Sequence, residues 1–252
     1  MGVALAAGIK SAGQGAAGRA LDLILPPRCP ACRDIVAEAG RFCGACWREL
    51  SFITAPQCSR CGLPFDLDAG AEALCGACAQ DEPPYDKARA ALAYEGAAVP
   101  VLLGFKHAGR THLASVMAGQ MVRLAGGSNG DRSADLIVPV PLDPARLRKR
   151  GYNQAGLLGR ALSRVTGIPQ TVDAMRRVKP TASTAGLSRS ARFRAAAGAF
   201  QAARNKVEGA RVLLIDDVMT TGATAEAAAR ALRKAGAREV GVLTYARALS
   251  TS

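Results

Sequence analysis

Two adjacent carboxylates, Asp216 and Asp217, close an apolar run, Val212-Leu-Leu-Ile215, and Thr220-Thr-Gly-Ala-Thr224 follows shortly after. Neighbouring carboxylates accept hydrogen bonds from vicinal hydroxyls, such as the 2′ and 3′ positions of a ribose. They also organise a Mg²⁺ carried in by a ligand. A glycine-centred turn that opens a helix presents backbone amides, here beside threonine hydroxyls, to a phosphate. Gly222 allows close approach of the backbone. The order predicts a buried strand from Arg211 to Ile215, two acids at its C-terminal end, a turn, and a helix over Ala223–Ala235. Open α/β sheets bind ligands at that end of their strands.

A second chemistry sits at the other end of the chain. All eight cysteines fall in C-x-x-C pairs: Cys29/Cys32, Cys43/Cys46, Cys58/Cys61 and Cys75/Cys78, with gaps of ten, eleven and thirteen residues. Two thiolates separated by two residues bind one metal through a tight turn, and four make a tetrahedral zinc site. Consecutive pairing gives one ion to the first four cysteines and one to the last four. A cross-braced arrangement stays open, so the expectation is one or two ions. An all-cysteine shell leaves no position for substrate, so the zinc is structural and stabilises a segment too small to fold alone. Phe42 and Trp47 are expected to be packing anchors. His107 and His112, the only histidines, are expected on a surface helix or loop.

The elements that must position these groups follow from periodicity. Ala20–Leu25 fits a short helix stopped by Pro26-Pro27. Beyond the acidic, proline-interrupted stretch Asp81–Pro84, the texture changes. Ala88–Tyr94 fits a strand, Ala98–Phe105 and His112–Leu124 fit helices, and Gly126–Gly130 is a turn-rich break. Leu136–Val140 fits a strand, Asn153–Val165 a helix and Glu239–Tyr245 a last strand. Arg176–Ala203 lacks a clear period and reads as a long, partly mobile loop with short helical pieces. Strands alternating with helices imply a mostly parallel sheet covered on both faces. No internal repeat is visible beyond the cysteine pairs.

Composition narrows the class. The chain has 252 residues, 49% of them hydrophobic and only 4% aromatic, so its core is built from Ala, Leu and Val. Residues 1–86 carry seven basic and ten acidic side chains; the remainder carry 26 and 10. A field of that sign attracts phosphorylated small molecules and nucleic acid. Scarce aromatics argue against a dedicated base-stacking platform. The N-terminus has no charged region before a short apolar stretch, and no window is long enough to span a bilayer, so a cytosolic protein is expected.

The run from Val212 to Thr224 resembles the phosphoribosyl pyrophosphate (PRPP) fingerprint of type I phosphoribosyltransferases. The resemblance implies a PRPP site formed by Asp216, Asp217, Val218, Met219, Thr220, Thr221, Gly222, Ala223 and Thr224. The two acids would hold the ribose as the catalytic pair, the turn would hold the 5′-phosphate, and Mg²⁺ would come with PRPP. Further motifs resemble the ComF/GntX family: Leu25-Pro-Pro-Arg-Cys-Pro-Ala-Cys32, Phe105-Lys106, Val138-Pro-Val-Pro-Leu142, Arg146, and Arg150-Gly-Tyr-Asn-Gln154. This similarity covers about Leu21 to Arg247. It implies an α/β fold with a type I phosphoribosyltransferase-like, mostly parallel sheet flanked by helices over residues 87–250. An N-terminal double zinc ribbon over residues 21–80 precedes it. It also implies a pyrophosphate-facing group of Val140, Pro141, Leu142, Arg146, Arg150 and Lys106, and a mobile loop with Arg177, Lys179 and Thr181. Thr184 stands where the family usually has Gln, and Ala195 where it commonly has Asn.

The expected function is therefore that of a PRPP-binding protein implicated in DNA uptake during natural competence. Such a protein would transfer a phosphoribosyl group from PRPP to an acceptor that the sequence does not name. The alternative is a non-catalytic PRPP or nucleotide sensor that holds single-stranded DNA on its basic surface. Candidate DNA contacts are Arg146–Arg150 and Arg176–Arg194, and competence-machinery proteins are further candidate partners.

Overall fold

The computed structural model describes residues 25–125, 134–180 and 188–249. The expected helix over Ala20–Leu25 and the break over Gly126–Gly130 lie almost wholly outside these residues. Thr181 and Thr184 lie outside them altogether.

Four parallel strands form the central sheet in the order β1-β6-β5-β2. They are β1 (Lys87–Ala93), β2 (Leu136–Pro139), β5 (Arg211–Met219) and β6 (Glu239–Arg247). On one face lie α3 (Ala98–His107), α4 (Leu113–Ala125) and α6 (Gln154–Thr166). Leu213 and Ile215 of β5 point into the core on that side, with Leu102, Met117 and Leu158. On the other face lies α9 (Ala223–Lys234), and Val212 and Leu214 pack there with Ala228 and Leu232. This alternation is the period of two that any two-faced strand obeys. The buried positions of α9 are mostly alanine, which favours helix and lets the helix lie close to the sheet.

Two expectations are corrected here. The strand bearing the acids does not stop at Ile215. It runs to Met219, because β6 is equally long and supplies partners for residues 216 to 219. On its other side β2 ends at Pro139, opposite Ile215. From Asp216 onward β5 is therefore open on that flank. The second correction concerns residues 176–203, read as irregular. β3 (Met175–Arg177) and β4 (Phe200–Ala202) pair antiparallel, and α7 (Arg189–Ala196) lies between them in sequence. The Arg177 guanidinium stacks over the Phe200 ring at 4.9 Å, and Arg176 donates to Gln201.

The cysteine segment is two copies of one knuckle, a repeat that reaches well beyond the cysteines. Cys29 N donates to Asp34 O at 2.8 Å and Arg33 N to Cys29 O. Cys58 N donates to Leu63 O at 2.8 Å and Gly62 N to Cys58 O. Each knuckle ends in Cys-Gly-Ala-Cys, opening the short helices α1 (Gly44–Arg48) and α2 (Gly76–Gln80). Arg33 and Gly62 occupy equivalent left-handed positions, with φ of 72° and 70°. Only the second needs glycine for space, since a Cβ there would meet Ala88 O at 2.5 Å.

That close approach reflects how the knuckles dock. Ala88 N donates to Arg60 O at 2.7 Å, Ile53 N to Ala91 O, and Ala93 N to Ser51 O. The module thus covers the edge strand β1, whose free backbone groups would otherwise face solvent. Cys29, Cys46 and Leu50 join the core on the α3 and α4 face. Cys58, Cys61, Cys75 and Cys78 join the core on the α9 face. Phe42 is partly buried against the first core, whereas Trp47 stays 54% exposed beside Phe42 and Phe52.

Candidate phosphoribosyl site and zinc centres

The open flank of β5 becomes one wall of a cleft of about 620 Å³. Asp216, Asp217 and Thr224 line it from β5 and the start of α9. Val140, Pro141 and Leu142 line it from the segment after β2. Asp143 then caps α5 (Pro144–Arg150), its carboxylate accepting from Ala145 N at 2.9 Å and Arg146 N at 3.4 Å. Arg146, Lys149 and Arg150 reach the cleft from α5, Arg177 from β3, and Lys106 from the last turn of α3. Five cations thus face two carboxylates in the lining, which suits a ligand more anionic than the protein's own acids can balance.

Lys106 Nζ sits 3.0 Å from Asp217 Oδ1, so the predicted acid and the predicted lysine are paired with each other. The last turn of α3 is fixed for this contact by Tyr152. Its hydroxyl donates to Phe105 O, and its ring packs 6.2 Å from that of Phe105. Asp216 stands beside this ion pair. Burial, then the Asp217 charge, push its carboxyl up to about 7, against the pull of Asp217 N–H, Lys106 and Arg177. Asp217 N donates to Asp216 Oδ1 at 2.8 Å. Burial also lowers the pKa of the Arg177 guanidinium.

The turn after β5 behaves as its residue types require. Gly222 has φ +86° and stands at the N-cap of α9 with no side-chain cap. A Cβ on Gly222 would have nothing nearer than Glu226 Oε1 at 3.9 Å, so the approach to this turn is open. Thr221 Oγ1 accepts from Ala223 N at 3.4 Å. Val218, Thr220, Gly222 and Thr224 line a small niche beside Asp216 and Thr244.

The structure therefore brings Asp216, Asp217, Thr224, Val140, Pro141, Leu142, Arg146, Arg150, Lys106 and Arg177 to one cleft. It does not bring Lys179 there, and Thr220, Thr221 and Gly222 line the neighbouring hollows beside this cleft. The Lys179 ammonium donates to Ala197 O at 3.0 Å, past the end of α7. Met219 is buried, and its side chain packs in the core on the α9 face. Lys149 and Gln154 also line the cleft. The Gln154 side chain is 2% exposed, and its Nε2 has no hydrogen-bond partner among the described residues. Asn153 does two jobs: Oδ1 caps α6 at Ala155 N, and Nδ2 donates to Val140 O at 3.1 Å. The histidines stay peripheral, with exposed His107 at the mouth of the cleft.

The cysteines form two clusters by consecutive pairing, Cys29/Cys32/Cys43/Cys46 and Cys58/Cys61/Cys75/Cys78, each with its sulfurs within 4.8 Å of one another. Cys32 and Cys43 Sγ are 3.6 Å apart, and Cys61 and Cys75 Sγ are 3.7 Å apart. Zn–S bonds of about 2.3 Å in a tetrahedron require sulfurs roughly 3.8 Å apart. Backbone amides already donate to the sulfurs, with Cys43 N to Cys29 Sγ and Cys75 N to Cys58 Sγ. Both shells fit structural zinc.

Competence protein F of Haemophilus influenzae is 34% identical to this chain over 228 residues, which span 88% of this chain and 97% of that protein. The chain belongs to the ComF family. Its residues 20–84 match the double zinc ribbon domain and residues 148–251 the phosphoribosyl transferase domain. DNA utilization protein YhgH of Salmonella typhi is 32% identical over 232 residues, covering 90% of this chain and all of that protein. Competence protein ComFC of Bacillus subtilis is 28% identical over 203 residues, covering 78% and 79%. In this ComF-family chain the sheet extends beyond the matched segment, since β1 and β2 precede residue 148. Among the described residues no helix is long and apolar enough to cross a membrane.

Proposed function

We propose that the cleft binds PRPP and that the protein serves DNA handling, as the names of its relatives indicate for them. The observation that carries the reading is the convergence of Asp216, Asp217 and the start of α9 with five cations at the C-terminal end of the sheet. The acids accept the ribose hydroxyls, the turn at Gly222 takes the 5′-phosphate, and Lys106, Arg146, Arg150 and Arg177 face the pyrophosphate. Arginine suits that role because its planar fork matches phosphate oxygens. Asp216 and Asp217 are the carboxylates available to a Mg²⁺ that arrives with PRPP, where the ion would neutralise pyrophosphate charge.

Transfer from PRPP needs displacement of pyrophosphate at C1′ through a cation-like sugar. The protein's part is positioning and electrostatics, with little dedicated acid–base apparatus. The cationic wall stabilises the departing pyrophosphate, and the acids lie on the ribose side. Isothermal titration of PRPP with Mg²⁺ tests the binding. Wild type should give a saturable heat, and Asp216→Asn and Asp217→Asn should each weaken it about tenfold or more, the scale of a lost charged hydrogen bond. Equal affinities in all three would refute the assignment. Product formation with a panel of nucleophilic bases separates an enzyme from a sensor.

The alternative role, holding single-stranded DNA, is favoured by α5. It has no buried residue and carries Arg146, Arg148, Lys149 and Arg150. DNA lying across it would pass the cleft mouth. Affinity should fall steeply with salt as phosphate contacts release counterions. Binding that ignores salt removes this reading.

A further inference from the structure

β6 ends at Arg247, in register with Met219 of β5. Just beyond, Ala248 N donates to Met219 O at 2.9 Å. The chain leaving Met219 is the phosphate-type turn, so this end of β6 fixes where the turn begins. The Arg247 side chain reaches from there to the second knuckle. Its Nη1 donates to Cys61 O at 2.7 Å and lies 3.0 Å from Met219 Sδ. Its Nη2 lies 3.7 Å from Cys61 Sγ. One guanidinium therefore touches a zinc ligand and the residue from which the turn springs.

The surroundings make this contact more than a packing accident. A second cleft, of about 600 Å³, separates the knuckle from the turn. Cys61, Cys75 and Cys78 line it together with Thr220, Thr221, Gly222 and Arg247. Arg247 supplies a polar link from the zinc shell to Met219, alongside the apolar packing that these residues share. Zinc keeps its sulfur ligands as thiolates. A thiolate that also accepts from a guanidinium is held in place, as outer-shell partners hold other metal ligands.

We propose that Arg247 is a positioning residue that couples zinc in the second knuckle to occupancy of the turn at Gly222. This rests on the phosphoribosyl reading of the first cleft. With zinc bound, Cys61 anchors the guanidinium, and the guanidinium anchors Met219 at the root of the turn. Loss of the ion frees the sulfur and loosens the anchor. Linkage makes the effect reciprocal: a ligand that orders the turn must tighten the second zinc site by the same factor. The first knuckle packs on the opposite face of the sheet and serves as an internal control.

The test uses the full, zinc-loaded chain and measures alkylation of each cysteine by N-ethylmaleimide, resolved by peptide mass spectrometry. Ribose 5-phosphate is the probe. At saturation it should slow alkylation of Cys58, Cys61, Cys75 and Cys78 several-fold and leave Cys29, Cys32, Cys43 and Cys46 unchanged. Arg247→Met keeps length and loses the donors. It should abolish that protection and, without ligand, speed second-knuckle alkylation roughly tenfold. Arg247→Lys keeps the charge and should fall between, which guards against a misfolded methionine variant. Equal ligand-free rates in wild type and both variants overturn the proposal. So does ribose 5-phosphate that binds wild type by calorimetry yet protects neither knuckle or both equally. Absence of any binding heat refutes the phosphoribosyl reading instead, and the ligand-free comparison still decides the role of Arg247.

Discussion

Burial and the charge of Asp217 raise the Asp216 pKa to about 7 in the folded chain, against about 3.9 in an unfolded one. Between those values the native state holds a proton that the unfolded state releases. Stability contributed by this group is therefore greatest below about pH 4 and declines as pH rises to about 7. Asp216→Asn removes the decline. Urea unfolding should find the variant more stable than wild type at pH 8, by at most about 4 kcal/mol, and nearly equal to it at pH 4. The same difference at both pH values would show that Asp216 is not held against ionisation. A gain in stability with a loss of ligand is the usual signature of a strained functional group. The acids, the threonine turn and Lys106 were legible in the sequence because they lie in short contiguous motifs. Arg247 and the buried Gln154 Nε2, without a hydrogen-bond partner among the described residues, were not, since no short motif marks either. Lys179 was assigned to the mobile loop by its motif position, which does not reveal the Ala197 carbonyl that takes its ammonium.

At the scale of elements, the long strands and helices could be read from period and the short ones could not. β3 and β4 have three residues each, too few for alternation to show, and they are held by Arg176–Gln201 and Arg177–Phe200 contacts across 25 and 23 residues. β5 was read short because charged residues interrupt its apolar run, although β6 keeps pairing with it. Two junctions give tests. Gly222→Ala meets no clash, so its cost is the left-handed backbone alone, about 1 kcal/mol in thermal unfolding. The same change should lower PRPP affinity more than tenfold in titration if the turn must keep its shape to seat a phosphate. Asn153→Ala removes the cap of α6 and the tie to Val140 O. Chemical denaturation should register a loss of about 1–2 kcal/mol. A stability unchanged within error would mean that water replaces both contacts.

At the scale of the molecule, the zinc module and the sheet share hydrogen bonds and both cores. The change of texture at Asp81–Pro84 was visible in the sequence, but the docking was not. Side chains cross that stretch, with Arg60 donating to Tyr85 O and Asp86 O at 3.1 Å. Backbone bonds from the knuckles also cover β1. Stripping both ions should therefore do more than unfold residues 25–80. It should lower the melting temperature of the whole chain and promote association through the uncovered edge. Calorimetry and light scattering with and without a strong chelator check this. A sheet transition that stays put would show the module to be an independent appendage.

The strand order carries a consequence for biosynthesis. β1 follows the cysteines, yet among the described residues its strand neighbour in the sheet is β6, far along the chain, with Lys87 opposite Gly241. A ribosome must deliver β6 before β1 finds its place in the sheet. Until then the metal-bound knuckles hang beside a half-built sheet. Losing β6 would leave β1, and the knuckles bonded to it, without a sheet to join.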